Sequence, residues 1–153
     1  MSEFSITSPD FEEGGEIPKK FGYKHGNEAP HIHFENIPQE PFSTTNATDS
    51  IALIMDDPDA MDAVGKVWVH WLVYNSTQIE GPSDFESVYG TTDFGEIGYG
   101  GPAPPDRRHT YVFKAYALNT KLDLKEGYSK QELEDAMKGH IIAEAKLTGT
   151  YAP

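Results

Sequence analysis

Short apolar segments separated by Gly, Pro, Asn and Asp run through most of this chain, and that rhythm predicts a mainly β fold. "SIALIMDD", residues 50–57, reads as a buried strand that stops at an acidic turn. "VWVHWLVYN", 67–75, reads as a second strand. "TYVFKAYAL", 110–118, is rich in aromatic and β-branched residues and reads as a third. In "HIIAEAKLTGTYAP" the residues Ala143, Ala145 and Leu147 alternate with Glu144, Lys146 and Thr148, a period of two that predicts a strand with one buried face. One segment breaks the pattern. "SKQELEDAMKGH", 129–140, places Leu133, Ala136, Met137 and His140 on one helical face, and Ser129 with Glu132 forms a capping box at its start. Gly139 suits its end, so this helix is expected to pack against a sheet. The polar segment "NIPQEPFSTTNATDS", 36–50, carries Pro38 and Pro41 and reads as a surface loop before the strand at Ile51.

No repeat, heptad or low-complexity tract interrupts this order, and 153 residues suit a single domain, 1–153, with a core large enough to stand without staples. The chain has no cysteine, which removes disulfides, zinc–thiolate sites and a cysteine nucleophile. The formal net charge of −13 argues against nucleic acid as a partner, because phosphate contacts need clustered Lys and Arg. It argues equally against docking on anionic membranes, and no apolar run approaches the length of a membrane span. The N-terminal "MSEFSITSPDFEEGGEIP" lacks the apolar run of a signal peptide, so a soluble, cytoplasmic protein is expected. Positive charge is local. Lys66 is the only Lys or Arg between Lys24 and the pair Arg107–Arg108.

Three clusters could carry chemistry. "DDPDAMD", 56–62, follows a hydrophobic strand, and Pro58 holds its acids at a rigid strand end; it reads either as a solvated turn or as part of a site. In "WVHW", 68–71, an extended strand places Trp68 and His70 on one face and Val69 and Trp71 on the other. An imidazole beside an indole suits a pocket with an aromatic wall and one polar group, and suits a satisfied core histidine equally. In "GYGGPAPPDRRHTYVF", 98–113, His109 and Tyr111 share a strand face. Gly100 and Gly101 precede them, where backbone N–H groups can approach a ligand, while three prolines stiffen the turn. The stretch is neither a dinucleotide fingerprint nor a P-loop. His31 and His33, with His25 nearby, lack the spacing of a known metal motif, so neither metal nor cofactor is expected.

In order, these motifs resemble the phosphatidylethanolamine-binding protein family, also called Raf kinase inhibitor-like proteins. The residues that carry the likeness are Asp57-Pro58-Asp59, Trp68-Val69-His70 and "GYGGPAPPDRRHTY". "HGN" at 25–27, "DFGEIGYGGPAPP" at 93–105, "LDL" at 122–124 and "AEAKLTGTY" at 143–151 are similar to the short bacterial and archaeal branch. The likeness runs from about His25 to Tyr151. It implies a β-sandwich of antiparallel sheets with one or two flanking helices. It also implies a small pocket for phosphate or another anionic group, lined by Asp57, Trp68, His70, Gly101, His109 and Tyr111, with Tyr99 at the mouth. Asp57, which would repel an anion, is expected to orient His70 or to accept from a protonated ligand.

Departures from the pattern bear on ligand identity. Met61 stands where the family has Pro, Thr110 where it commonly has Arg, and Phe34 where it has Trp in the "APHIHF" stretch. Arg107 and Arg108 are expected to restore positive potential near the mouth. The function implied is a non-catalytic binding protein for a small anionic or phosphorylated ligand, free or displayed on a protein partner that it regulates or inhibits. A homodimer is among the assemblies that the likeness implies. Two alternatives stand beside this: a small hydrolase using Asp57, His70 and His109 in acid–base chemistry, and an interaction protein with a vestigial pocket.

Overall fold

A computed structural model describes residues 3–38, 48–75 and 87–153. The elements in chain order are β1 (Ser5–Thr7), β2 (Gly15–Glu16), β3 (His33–Glu35), β4 (Ser50–Asp57), α1 (Ala60–Val64), β5 (Trp68–Asn75), β6 (Ser87–Tyr89), β7 (His109–Leu118), α2 (Lys130–Met137) and β8 (Ile141–Tyr151). The mainly β expectation holds, and each of the four predicted strands is present. Residues 39–47 of the expected surface loop lie outside the described residues.

Six strands form one sheet in the order β2-β8-β7-β4-β5-β6, and β1 pairs with β3 in a separate antiparallel ribbon. The sheet departs from the all-antiparallel expectation at one edge, where β2 runs parallel to β8 through Gly15 and Glu16. Because β4 lies inside the sheet between β5 and β7, its eight residues are all buried. That burial explains why its sequence is a continuous apolar run rather than an alternating one. β8 alternates as predicted, with Leu147, Gly149 and Tyr151 inward.

The two sheet faces are covered differently. On one, Leu53, Met55, Trp71, Val73, Tyr111, Phe113 and Leu147 pack against Ile6 of the ribbon and against Phe4, Phe11, Ile17 and Phe21. On the other, Ala52, Ile54, Leu72 and Tyr74 pack against Leu133 and Met137 of α2 and against Tyr128. The helix begins as its sequence predicts. The Ser129 hydroxyl accepts from the Glu132 N–H, and the Glu132 carboxylate accepts from the Ser129 N–H. Gly139 adopts φ +80° just past its end, a left-handed conformation that glycine enters without a Cβ penalty. His140 lies beyond the helix and contacts Asn119 through Nδ1 at 3.1 Å. Among the described residues no helix is long and apolar enough to cross a membrane.

Packing should outweigh capping in holding α2, since Leu133 is fully buried and Ser129 is at the surface end. Leu133→Ala is expected to cost about 3 kcal/mol and Ser129→Ala about 1 kcal/mol, measured by urea unfolding. Equal losses would mean that the cap and not the core anchors this helix.

Candidate functional site

The strand motif is bent by a bulge. Asp57 pairs with Trp68, Asp56 with Val69 and Met55 with Trp71, so His70 faces no residue of β4. A bulge of this kind inserts one residue, breaks the alternation and re-aims a side chain. Here Val69 joins the α2-side core, while Trp71 joins the opposite core with Tyr111 and Phe113. The expectation that Val69 and Trp71 share a face is therefore corrected, because simple alternation cannot pass through the extra residue.

β6 pairs only with Val73–Asn75 and leaves the start of β5 as an open edge. The segment after β6 closes that edge. Asp93 accepts from the Val69 N–H at 2.7 Å, and its own N–H donates to the Val69 carbonyl at 3.0 Å. The Gly100 N–H donates to the His70 carbonyl at 2.8 Å, and the His70 Nδ1–H donates back to the Gly100 carbonyl at 2.6 Å. A carbonyl only accepts, so this bond assigns the imidazole proton to Nδ1. His70 is 2% exposed, and burial is the main reason that its pKa lies below the ordinary value.

Asp57 holds His109 rather than His70, which corrects its expected orienting role. Its Oδ2 accepts from His109 Nδ1 at 2.6 Å, and its Oδ1 accepts from the Asp59 N–H at 3.0 Å. The other ring nitrogen of His109, Nε2, lies 2.7 Å from Asp106 Oδ1. A fully buried imidazole between two carboxylates satisfies both only when it carries both protons. Burial alone pulls its pKa down, but Asp57 and Asp106 outweigh that, and the net direction is up. In return, the hydrogen bond from His109 holds Asp106 below its usual range. Asp59 fastens the start of β7 by accepting from the Thr110 N–H at 2.8 Å.

These groups surround a cavity of about 150 Å³ at the end of the sheet. Asp57, Trp68, His70, His109 and Tyr111 line it, together with Phe94, Pro105 and small residues of α1. Tyr99 and Gly101 are not among its walls. The Tyr99 hydroxyl donates to the Phe21 carbonyl at 2.8 Å, and its ring packs edge-on against Trp71. The Gly101 N–H, read from the sequence as a ligand donor, is taken up by Asn27 Oδ1 at 2.7 Å. Gly101 is required for contact instead: a Cβ there would overlap the Phe21 carbonyl oxygen. The arginine pair is also engaged. Arg107 reaches Asp62 at 3.1 Å, and Arg108 reaches Glu16 at 2.6 Å.

Two buried polar atoms of the cavity walls, Trp68 Nε1 and Tyr111 Oη, make no hydrogen bond of ordinary geometry in the protein, though Asp57 and the Ala103 backbone lie near the Tyr111 hydroxyl. Sequence reading missed Phe94, whose ring meets Trp68 and His70 edge-on at 5.5 Å and stacks on Tyr23 at 4.0 Å. It also missed Asp106, although that residue sits at i−3 from His109 in the stretch already singled out. Among the described residues, no group of three or more His, Asp or Glu converges as a metal site.

A profile of the family described as phosphatidylethanolamine-binding protein matches residues 7–152. A "UPF0098 protein" of Chlamydia muridarum is 42% identical, the match covering 95% of this chain and 97% of that one. A protein of the same name from the archaeon Methanothermobacter thermautotrophicus is 40% identical over 92% and 93% of the two chains. A crystal structure described as a phosphatidylethanolamine-binding protein homolog from Chlamydia trachomatis superposes with a TM-score of 0.86 at 38% identity, covering 99% and 98% of the chains. YbcL of E. coli superposes with a TM-score of 0.84 at 28% identity, covering 98% of each.

The two histidines should shape stability in opposite directions. His109, with its pKa raised, contributes fully below the ordinary imidazole value of about 6.5, and that contribution is lost as pH rises through its folded pKa. His70, with its pKa lowered, contributes above about 6.5, and its share is lost as pH falls toward its folded pKa. NMR titration is expected to show His109 titrating above and His70 below that value. A His109 ring that titrates below it would rule out the doubly protonated bridge.

Proposed function

The chain belongs to the phosphatidylethanolamine-binding protein family, and from that premise we propose that it is a non-catalytic binding protein whose cavity takes a small oxyanion such as a phosphate group. The observation that carries this reading is the pair of polar atoms without a hydrogen bond of ordinary geometry, Trp68 Nε1 and Tyr111 Oη, in the walls of one small cavity. A buried donor left without a partner costs about 1–3 kcal/mol, and an oxygen of a bound ligand recovers that cost. A cavity near 150 Å³ holds a group of about benzene's size, which suits a phosphate and little of what it is attached to. The rest of the ligand would then lie outside, past Met61 and Val64, whose side chains are exposed on α1 beside the mouth. A phosphorylated small molecule and a phosphorylated group on a protein partner present the same chemistry to such a site.

The hydrolase reading has weaker support. His70 is a neutral imidazole at the cavity wall and would suit a general base. The lining residues, however, include no Ser, Thr, Cys or Lys to act as a nucleophile. Binding accounts for these donors directly, whereas catalysis would call on an activated water or on Asp57, which is already held by His109 and the Asp59 N–H.

Titration with inorganic phosphate, followed by tryptophan fluorescence and the Trp68 indole N–H resonance, tests the proposal. A saturable response is expected, weakened about tenfold in Tyr111→Phe, as the loss of one hydrogen bond to a charged group implies. No saturation at millimolar phosphate with the fold intact would overturn it.

A further inference from the structure

The cavity's polar groups divide into donors and acceptors, and the division is unusual for an oxyanion site. Trp68 Nε1 is a donor, and the Tyr111 hydroxyl, fully buried, makes no hydrogen bond of ordinary geometry, although Asp57 and the Ala103 backbone lie close to it; it can donate to a ligand oxygen. His70 is an acceptor. Its proton is fixed on Nδ1 by the Gly100 carbonyl at 2.6 Å, and no carboxylate is hydrogen-bonded to the ring. With the proton on Nδ1, Nε2 keeps a lone pair, and His70 is one of the residues that line the cavity. Asp57 is a second acceptor on the same wall, because each carboxylate oxygen keeps a lone pair beyond the bonds already described.

The nearby positive charges do not change this balance. Both ring nitrogens of His109 are tied to carboxylates, so the Asp57–His109–Asp106 group as a whole carries net negative charge. Arg107 is paired with Asp62 and approaches Asp59 at 3.9 Å, and Arg108 is paired with Glu16. The backbone N–H groups of Gly100 and Gly101 are likewise taken, by the His70 carbonyl and by Asn27. An oxyanion that only accepts would meet two donors and then set its lone pairs against Nε2 and Asp57.

We propose that the cavity selects an oxyanion that still carries a proton: inorganic phosphate or a phosphomonoester as its monoanion, in preference to sulfate or a phosphodiester. The P–OH donates to His70 Nε2, and two further oxygens accept from Trp68 and Tyr111. This rests on the oxyanion reading of the cavity and states which oxyanion it takes. Sites built to bond a ligand hydroxyl reject close analogues that lack one, because their buried polar group is then left unpaired.

The ligand's own ionisation makes the selection visible. A phosphomonoester loses its second proton near pH 6, so its apparent affinity should fall about tenfold per pH unit well above that point. Sulfate has no such proton. The alternative source of pH dependence is protonation of His70 itself, which would strengthen binding of every oxyanion as pH falls. The titratable groups that act on His70 are Asp57 and, from the other face of the sheet, Asp56, together with Tyr111 on β7, which also bears the neighbouring His109. Phe94 covers its remaining side.

The experiment is calorimetric and NMR titration of the full chain with inorganic phosphate, methyl phosphate, dimethyl phosphate and sulfate, at about pH 6 and about pH 8. The expected result is binding of phosphate and methyl phosphate at the lower pH, weakening at the higher, with sulfate and dimethyl phosphate at least about tenfold weaker at the lower pH. His70→Gln, whose amide offers both a donor and an acceptor, should narrow the preference over sulfate. Sulfate binding as tightly as phosphate, or strengthening in parallel on acidification, would overturn the proposal while leaving the oxyanion reading in place. Dimethyl phosphate binding as well as methyl phosphate would overturn it too, and would point to a diester source such as a lipid headgroup. No binding by any of the four would overturn both readings.

Discussion

A strand buried along its whole length ends here in two carboxylates, Asp56 and Asp57, each no more than 3% exposed. Buried charge of that kind is tolerated only where it is paired and hydrogen-bonded. Much of the surrounding arrangement follows from that constraint. Asp56 faces the α2 side and is met by Lys130 at 3.2 Å from the helix and by Lys114 at 3.6 Å from β7. Asp57 faces the other way and is met by His109 and by the Asp59 N–H. One pair of acids thus ties down a helix on one face and the start of β7 on the other. Removing any of the three cations would leave its carboxylate less compensated in the interior, a larger penalty than losing an ion pair at the surface.

The cavity exists because two irregularities coincide at the same end of the sheet. The bulge turns His70 and Trp71 out of simple alternation, and β6 stops short, leaving the start of β5 without a neighbouring strand. The segment from Asp93 to Gly100 repairs the exposed backbone, and in doing so it brings Phe94 against Trp68 and His70. The proline-rich loop then supplies Ala103 and Pro105 as the opposite wall. Rigid aromatic and proline walls hold the polar atoms in place at little entropic cost. An open strand edge closed by irregular chain is therefore also the means by which the site is shaped.

What could be read in the sequence was local. The strands at 50–57, 68–75, 109–118 and 141–151 and the capped helix follow from periodicity and turn chemistry, which act within a few residues. The set of Asp57, Trp68, His70, His109 and Tyr111 was named through the family likeness that the motifs carry, and these five line one cavity. The failures came where a partner distant in sequence decides the outcome. A bulge is defined by the opposite strand, so nothing in "WVHW" could reveal it. Gly101 looked like a ligand donor until Asn27, held at φ +53° after Gly26, took its N–H. The "HGN" tripeptide was visible only as a family likeness, and its physical role is to fasten this loop. Phe94 lacked any signal of its own, because an aromatic residue between Asp93 and Gly95 reads as part of a turn.

The remaining tension is between a chain of net charge −13 and a site proposed for an anion. Positive charge near the cavity is neutralised locally, His109 by two aspartates and each arginine by an acid. Long-range attraction would therefore contribute little, and recognition would fall to hydrogen bonds made away from water, where each is worth more than at the surface. That division has a consequence for selectivity. Charge attracts every oxyanion of a given valence alike, whereas directed donors and acceptors distinguish ligands by where their protons lie. A site that met its ligand with Trp68, Tyr111 and a neutral His70, as proposed, would give up general affinity for anions and gain the ability to read protonation. An acidic protein is the setting in which that exchange makes sense, because its overall charge already discourages anions that the cavity does not specifically fit.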